Sequence, residues 1–155
     1  MIVVLLNADA IAYADSLSAG VTAFQHGDYI RAADKLGRPA QRGNARAEAL
    51  LGYMYANGLG TPQSYPLAVD LLEHSAERGN PTAQYFLGLM YDKGQGVIQD
   101  DVIAYKWLSL AASNAAQRER DYYARLRNAV ASKMTPAQIA VGQSLASGWF
   151  PRSRF

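Results

Sequence analysis

The chain has 155 residues, half of them hydrophobic, which is enough for one domain with a core or for a short stack of repeats. Fifteen Lys and Arg residues against 13 Asp and Glu give a formal net charge of +2, too weak to indicate a nucleic acid or an acidic membrane surface as partner. The absence of cysteine excludes disulfides, thiolate metal sites and a cysteine nucleophile.

Residues 1–14 resemble a secretory signal peptide. Met1 to Leu6 is apolar, and Ala12-Tyr13-Ala14 before Asp15 reads like a small-residue cleavage site. The basic start of such a signal is missing, so the alternative is an apolar helix that covers the first repeat. We therefore expect a periplasmic or secreted protein, with the cytoplasm as the alternative. No apolar run approaches the roughly 20 residues that cross a bilayer, so we do not expect the chain to be embedded in a membrane.

An internal repeat with a shift of 36 residues is the main feature of the sequence. Gly52-Tyr53-Met54-Tyr55 returns as Gly88-Leu89-Met90-Tyr91, and Gly58 and Gly60 return as Gly94 and Gly96. A period of this size is typical of solenoids, in which each unit stacks on its neighbours. The same shift carries Leu72 back to Leu36, so a divergent unit precedes the two clear ones. In that unit Gly20 takes the place of Gly52 only if about four residues are deleted from the loop.

Each unit is predicted to form two helices. The first helices are predicted over residues 45–56 and 81–93, where apolar residues recur every three and four positions. Gly52 and Gly88 lie within those apolar stripes at a cost of about 1 kcal/mol relative to alanine, which predicts a close helix crossing there. The second helices should begin after three N-cap residues, Asp28, Ser64 and Asp100.

Two features depart from a uniform repeat. Pro39 lies within the second helix of the divergent unit, so we expect that helix to be short or kinked. Near the C-terminus, Thr135 to Gln138 contains a capping box with a proline at the first helical position, and Gly148 marks the helix end. This last helix should close the open end of the stack, with Trp149 and Phe150 covering the final core layer.

The repeat pattern resembles that of the Sel1-like repeat family, a relative of the tetratricopeptide repeat. The residues that carry the resemblance are Ala83, Leu87-Gly88, Met90-Tyr91, Gly94, Gly96-Val97, Asp100, Ala104 and Ala111-Ala112. The resemblance implies an all-α fold, a short right-handed α/α superhelical solenoid of helix-turn-helix repeats with a C-terminal capping helix. The implied divisions are repeats over 15–114 (15–42, 43–78 and 79–114), capping helices over 115–150 and a tail over 151–155.

Residues that could carry catalysis or hold a metal are few. His26 and His74 occupy nonequivalent places without partners at ligand spacing, so we predict no metal and no cofactor. Acidic residues interrupt a cluster of four arginines, which is interpreted as a solvated helix face and not as a nucleic-acid surface: Arg118, Arg120, Arg125 and Arg127. No hydrolase motif is found, and we expect no enzymatic activity.

The resemblance also implies a place for a partner. In relatives of this fold the first helices line the concave face, where variable positions meet the ligand. Tyr53, Tyr85 and Leu89 are large side chains that the stacking does not require, so they are candidate interface anchors. The competing interpretation is that a terminal helix folds over this face and buries them. The predicted partner-binding residues are Arg46, Ala49, Tyr53, Thr82, Tyr85, Leu89, Asp92 and Arg125.

The sequence-based hypothesis is therefore a non-catalytic scaffold or adaptor. It would bind a protein or peptide partner on the concave face, and a regulatory role in the bacterial envelope is one form of this function. The alternative is an envelope hydrolase directed at cell-wall material or β-lactams, as has been proposed for some relatives. Neither the sequence nor the resemblance identifies the partner.

Overall fold

The computed structural model describes the backbone of residues 2–152 and the side chains of residues 8–152. Every regular element in this range is an α-helix, so the all-α prediction is confirmed. The eight helices, in chain order, are α1 (Ile2–Gln25), α2 (Tyr29–Gln41), α3 (Ala45–Asn57), α4 (Tyr65–Glu77), α5 (Pro81–Lys93), α6 (Asp101–Asn114), α7 (Gln117–Ala131) and α8 (Pro136–Ser147).

The helices pack as successive hairpins. Three hairpins, α1 with α2, α3 with α4 and α5 with α6, stack so that each second helix contacts the first helix of the next unit. Helices α7 and α8 both pack on α6 and complete that end of the stack. This is a short α/α solenoid with C-terminal capping helices, as the sequence predicted. No helix within residues 2–152 is long and apolar enough to span a bilayer.

A glycine lies at the crossing of each hairpin. A Cβ built on Gly52 would lie 2.7 Å from Cγ of Leu72, and one on Gly88 would lie 2.8 Å from Cγ of Leu108. In the divergent unit, a Cβ on Gly20 would lie 2.8 Å from Leu36. Because carbon atoms pack at about 3.5–4 Å, no larger residue fits without movement. The predicted close crossing is confirmed, and so is the register that places Gly20 with Gly52.

Side-chain caps set the start of most helices. Asp28, Ser64 and Asp100 accept hydrogen bonds from backbone N–H groups in the first turns of α2, α4 and α6, as predicted. Asn44 and Asn80 cap α3 and α5 in the same way. The first helices α3 and α5 each end at a glycine in the left-handed conformation, with φ of 65°.

Of the two expectations for Pro39, a short helix and a kinked helix, the shortening of α2 is wrong, and the kink stays a prediction. α2 has 13 residues, as α4 has, and it continues past Pro39 to Gln41. Proline cannot donate to the carbonyl four residues earlier, which belongs to Lys35. The Ser16 hydroxyl of α1 donates to that carbonyl at 2.8 Å, so the acceptor is satisfied from the neighbouring helix.

The C-terminal segment follows the sequence prediction only in part. The capping box of Thr135 and Gln138 is formed, and α8 ends before Gly148. Trp149 packs edge-on against Trp107, with ring centroids 6.3 Å apart. Phe150 does not cover the core, because it is 79% exposed. The chain instead passes the C-terminal end of α4, where the N–H of Arg152 donates to the Glu77 carbonyl at 2.8 Å.

The two readings of residues 1–14 fall in α1. That helix runs without interruption from Ile2 to Gln25, and the Arg42 guanidinium lies 5.5 Å from the centre of the Tyr13 ring. A helical conformation here is compatible with both readings, so cleavage of the segment stays a prediction. Met1 itself lies outside the described residues.

Candidate functional site

A groove lies between the first helices α3 and α5, with a volume of about 300 Å³. We call it the α3–α5 groove. Helices α3 and α5 form its walls, and the loops that follow them close one end. Its lining residues are Tyr53, Ala56, Asn57, Gln63, Tyr65, Leu72, Tyr85, Phe86, Leu89, Met90, Lys93 and Gln95.

A continuous row of aromatic rings crosses this groove from α1 to α7. Phe24 meets Tyr53 edge-on at 5.8 Å between ring centroids, and Tyr53 meets Phe86 at 4.6 Å. Phe86 in turn lies 4.7 Å from Tyr85. Such ring pairs add about 0.5–1.5 kcal/mol each beyond the area they bury, so the row is a fixed surface that needs little ordering when a ligand arrives.

Helix α7 encloses one side of Tyr85. The ring of Tyr123 stacks on it at 4.7 Å, and the Tyr122 hydroxyl lies 3.4 Å from the Tyr85 hydroxyl. Burial, followed by the hydrogen bond with Tyr122, raises the pKa of Tyr85 far above its usual value. Burial also raises the pKa of Tyr123, and a side-chain hydrogen bond with Thr82 opposes that rise. Both phenols are therefore neutral at physiological pH, and Tyr85 offers the groove ring surface without charge.

Glutamine side chains fix the loops that close one end of the groove. Gln63 donates to the Ala56 carbonyl at 2.8 Å, and its equivalent Gln99 donates to the Asp92 carbonyl at 2.9 Å. Gln95 donates to the Tyr65 hydroxyl at 3.2 Å. Apart from Lys93, this rim is polar and uncharged, and the chain's own hydrogen bonds hold it in place.

Tyr53, Tyr85 and Leu89 line the α3–α5 groove, and each is only partly buried, so their role in partner binding stays a prediction. Arg46 is exposed and lines a second depression, of about 420 Å³, between α1 and α3. Arg125 is exposed on α7, with its guanidinium 5.9 Å from the centre of the Tyr122 ring. Among the described residues, the terminal helices meet this face at its two ends: Phe24 of α1 contacts Tyr53, and Tyr123 of α7 contacts Tyr85.

Two predicted site residues are not free to meet a partner. Ala49 is only 1% exposed and belongs to the core between α3, α4 and α5, so its assignment to the site is corrected. The Asp92 carboxylate forms an ion pair with Lys133, which also lies 3.1 Å from Asp101. Asp92 thus anchors the turn between α7 and α8, and it is removed from the set of candidate ligand contacts.

Three further residues that were not predicted from the sequence line the groove: Phe86, Gln95 and Lys93. Phe86 lies three residues after Ala83 and four before Met90, so helical periodicity could have placed it beside the buried stripe. In the sequence, the only sign of the hydrogen-bonded glutamines at the rim was that Gln63 recurs as Gln99 one repeat later. Within residues 8–152 there is no group of three His, Asp or Glu side chains that could hold a metal ion, and His26 and His74 are both exposed.

The stacked hairpins define a helical repeat protein, and the comparisons with known proteins identify the repeat. The family described as Sel1 repeat matches residues 45–80 and 81–115. These two segments are therefore Sel1 repeats. The search of curated proteins gave no match.

Two solved structures are similar to this chain. One is a protective antigen present in uropathogenic Escherichia coli strains and displaying an SLR fold, with a TM-score of 0.76, 25% identity and coverage of 86% of this chain. The other is a Sel1 repeat protein from Oxalobacter formigenes, with a TM-score of 0.60, 34% identity and coverage of 64% of this chain. The matched region spans 29% of the first protein and 39% of the second.

Proposed function

We propose that this protein is a non-catalytic scaffold or adaptor that binds a segment of another protein in the α3–α5 groove. Sel1 repeats generally serve as scaffolds and commonly mediate contacts between proteins. The observation that carries the proposal is the row of packed aromatic rings that stays partly exposed within the groove. Partly exposed rings in a concave site are typical anchors for a partner side chain.

The contacts around the rings support binding without rearrangement. Tyr53 is held between Phe24 and Phe86, and Tyr85 is held between Phe86 and Tyr123. A partner would therefore meet side chains whose rotamers are already fixed, which lowers the entropic cost of association. The volume of about 300 Å³ accommodates one or two side chains of a peptide but not a folded domain.

A pair of matched variants tests the proposal. Leu89→Glu places a charge inside the groove, whereas Leu67→Glu makes the same change on the second helix α4, where Leu67 is 48% exposed. Random peptides of about twelve residues are selected on the immobilised full chain by phage display. Binding of the selected peptides is then measured by fluorescence anisotropy against the wild type and both variants.

We expect Leu89→Glu to weaken the binding of the selected peptides by about tenfold or more, and Leu67→Glu to leave their affinity unchanged. The proposal is rejected if no selected peptide distinguishes the two variants. Circular dichroism must show the same helicity for both variants, so that a loss of binding reports on the groove and not on unfolding.

The proposal extends to location and chemistry. The apolar Met1 to Leu6 and the small residues Ala12 to Ala14 support export to the bacterial envelope, where the scaffold would serve a regulatory role. Mass spectrometry of the natural N-terminus tests export, since a start at Asp15 supports it and a retained Met1 opposes it. Turnover of peptidoglycan or of a chromogenic β-lactam by the purified protein would contradict the absence of catalysis.

A further inference from the structure

We propose that the α3–α5 groove and the depression beside it bind an extended acidic peptide that carries a bulky apolar side chain. This inference rests on the proposed function and adds the chemistry of the partner. It comes from the distribution of charge along the first helices, which the aromatic row alone does not determine.

The charges lining the two cavities have one sign. Lys93 is the charged residue of the α3–α5 groove, and Arg46 is the charged residue of the depression between α1 and α3. Both side chains are exposed, and neither takes part in an ion pair within the described part of the chain. Two unbalanced cations beside these cavities favour a ligand with negative charge.

The neighbouring acidic side chains do not neutralise these cations. Asp92 directly precedes Lys93 in the sequence, yet its carboxylate is paired with Lys133 from the turn between α7 and α8. Glu48, two residues after Arg46, is buried and paired with Arg78. The fold thus directs the adjacent carboxylates toward other partners and leaves the positive charge of Lys93 and Arg46 for a ligand.

The positions of the two cations set a length for the ligand. Lys93 is equivalent to Asn57, which lies 11 residues after Arg46 in the chain, or about 17 Å along a helix axis. With about 10 Å between neighbouring helix axes, the two positions lie about 20 Å apart. An extended chain of about 3.3 Å per residue covers that distance in about six residues. Acidic residues at that spacing would flank a side chain seated on Tyr53 and Phe86.

A single-stranded nucleic acid is less consistent with this surface. Binding a phosphate backbone needs a continuous positive track. The arginines of α7 do not form such a track, because the exposed Asp121 and the ion pair of Arg118 with Glu119 interrupt them. Two separated cations suit two carboxylates better than a repeating phosphate.

The composition of the selected peptides and a charge reversal test this inference together. Lys93→Glu and Arg46→Glu reverse the two cations, and Arg31→Glu makes the same change on the exposed surface of the second helix α2 as the control. We expect selected peptides to be enriched in Asp and Glu about six positions apart around an aromatic or large aliphatic residue. We expect each of the two groove-side reversals to weaken binding about fivefold at low salt, and Arg31→Glu to leave it unchanged. Peptides with Lys in place of the acids should bind better to the Arg46→Glu, Lys93→Glu double variant than to the wild type.

Each remaining outcome overturns the inference. Suppose that Leu89→Glu abolishes binding of the selected peptides but that these peptides are not enriched in acidic residues. The proposed function then stands, and the inference of an acidic partner is wrong. If Leu89→Glu weakens the binding of no selected peptide, both the proposed function and the inference of an acidic partner are wrong. Tighter binding of a labelled oligothymidine would assign the surface to nucleic acid, and a dimer that Leu89→Glu dissociates would assign it to a second copy of the chain.

Discussion

The Asn114 side chain donates a hydrogen bond of 3.0 Å to the buried side chain of Gln84. One repeat earlier the same two positions hold Arg78 and Glu48, which form an ion pair. Both contacts join the first half of a first helix to the end of the second helix in the same unit. A polar contact is therefore preserved at this place while its charge changes, as expected where a buried polar group must keep a partner.

We predict that Arg78→Ala destabilises the protein by about 2–3 kcal/mol, because it leaves the Glu48 carboxylate buried without a partner. The side chain of Arg78 is 22% exposed and that of Glu48 is 6% exposed, so water relieves part of the cost. Urea unfolding followed by circular dichroism measures the free energy. The double variant Glu48→Gln, Arg78→Asn copies the pair of the next unit and should recover most of the loss. Equal stability of the wild type and Arg78→Ala would contradict this role.

A second prediction concerns the glycines at the helix crossings. Gly52→Ala should destabilise the protein by about 1–3 kcal/mol despite the better helix propensity of alanine, since its Cβ would lie 2.7 Å from Cγ of the buried Leu72. Gly37→Ala in α2 is the matched control, because nothing lies within 4 Å of the added Cβ. That variant should gain up to about 1 kcal/mol. Thermal unfolding of the two variants should shift in opposite directions, and a shift of the same sign would refute the crossing as the reason for Gly52.

The hydrogen bond from Ser16 to the Lys35 carbonyl should matter only while Pro39 is present. We predict that Ser16→Ala costs about 1 kcal/mol in the wild type, where it leaves the carbonyl without a donor. In a Pro39→Ala background the new N–H can reach that carbonyl, and the cost of Ser16→Ala should nearly vanish. A double-mutant cycle by urea unfolding measures the difference, and additive effects would show that the two residues are independent.

The two aromatic residues after α8 should differ sharply in their contribution to stability. Trp149→Ala should cost about 2–4 kcal/mol, because the ring packs against Trp107 and the core between α4, α5 and α6. Phe150→Ala should change the free energy by less than about 0.5 kcal/mol, since that ring is exposed. Helicity recorded during thermal unfolding avoids the loss of tryptophan fluorescence. Comparable effects of the two variants would contradict the observed path of the tail.

The repeat made the fold readable from the sequence. The shift of 36 residues located the helix hairpins, the glycine crossings and three of the N-caps, because each follows from local chemistry that recurs in every unit. Contacts made by unrepeated segments could not be read this way. Two such residues lie outside the two clear repeats. Lys133 pairs with Asp92, and Ser16 donates to the Lys35 carbonyl that Pro39 leaves without a donor.

Equivalent positions in the two repeats differ in burial, which explains why some of the predicted site residues are accessible and others are not. Ala49 and Tyr85 occupy the same position in α3 and α5, yet Ala49 is fully packed and Tyr85 is partly exposed. The α3 position meets the next repeat, whereas the α5 position meets the tyrosines of α7. Helical periodicity gives the direction of a side chain but not the identity of the element that faces it.

The most direct test of the central claim is to map a selected peptide onto the full chain by NMR. In ¹H–¹⁵N correlation spectra, the account predicts that the peptide shifts the amide signals of Tyr53, Tyr85, Leu89 and Lys93. Signals on the outer side of α4, such as those of Leu67 and His74, should stay in place. Shifts confined to α4 or α8, with no change around Leu89, would contradict the α3–α5 groove as the binding site.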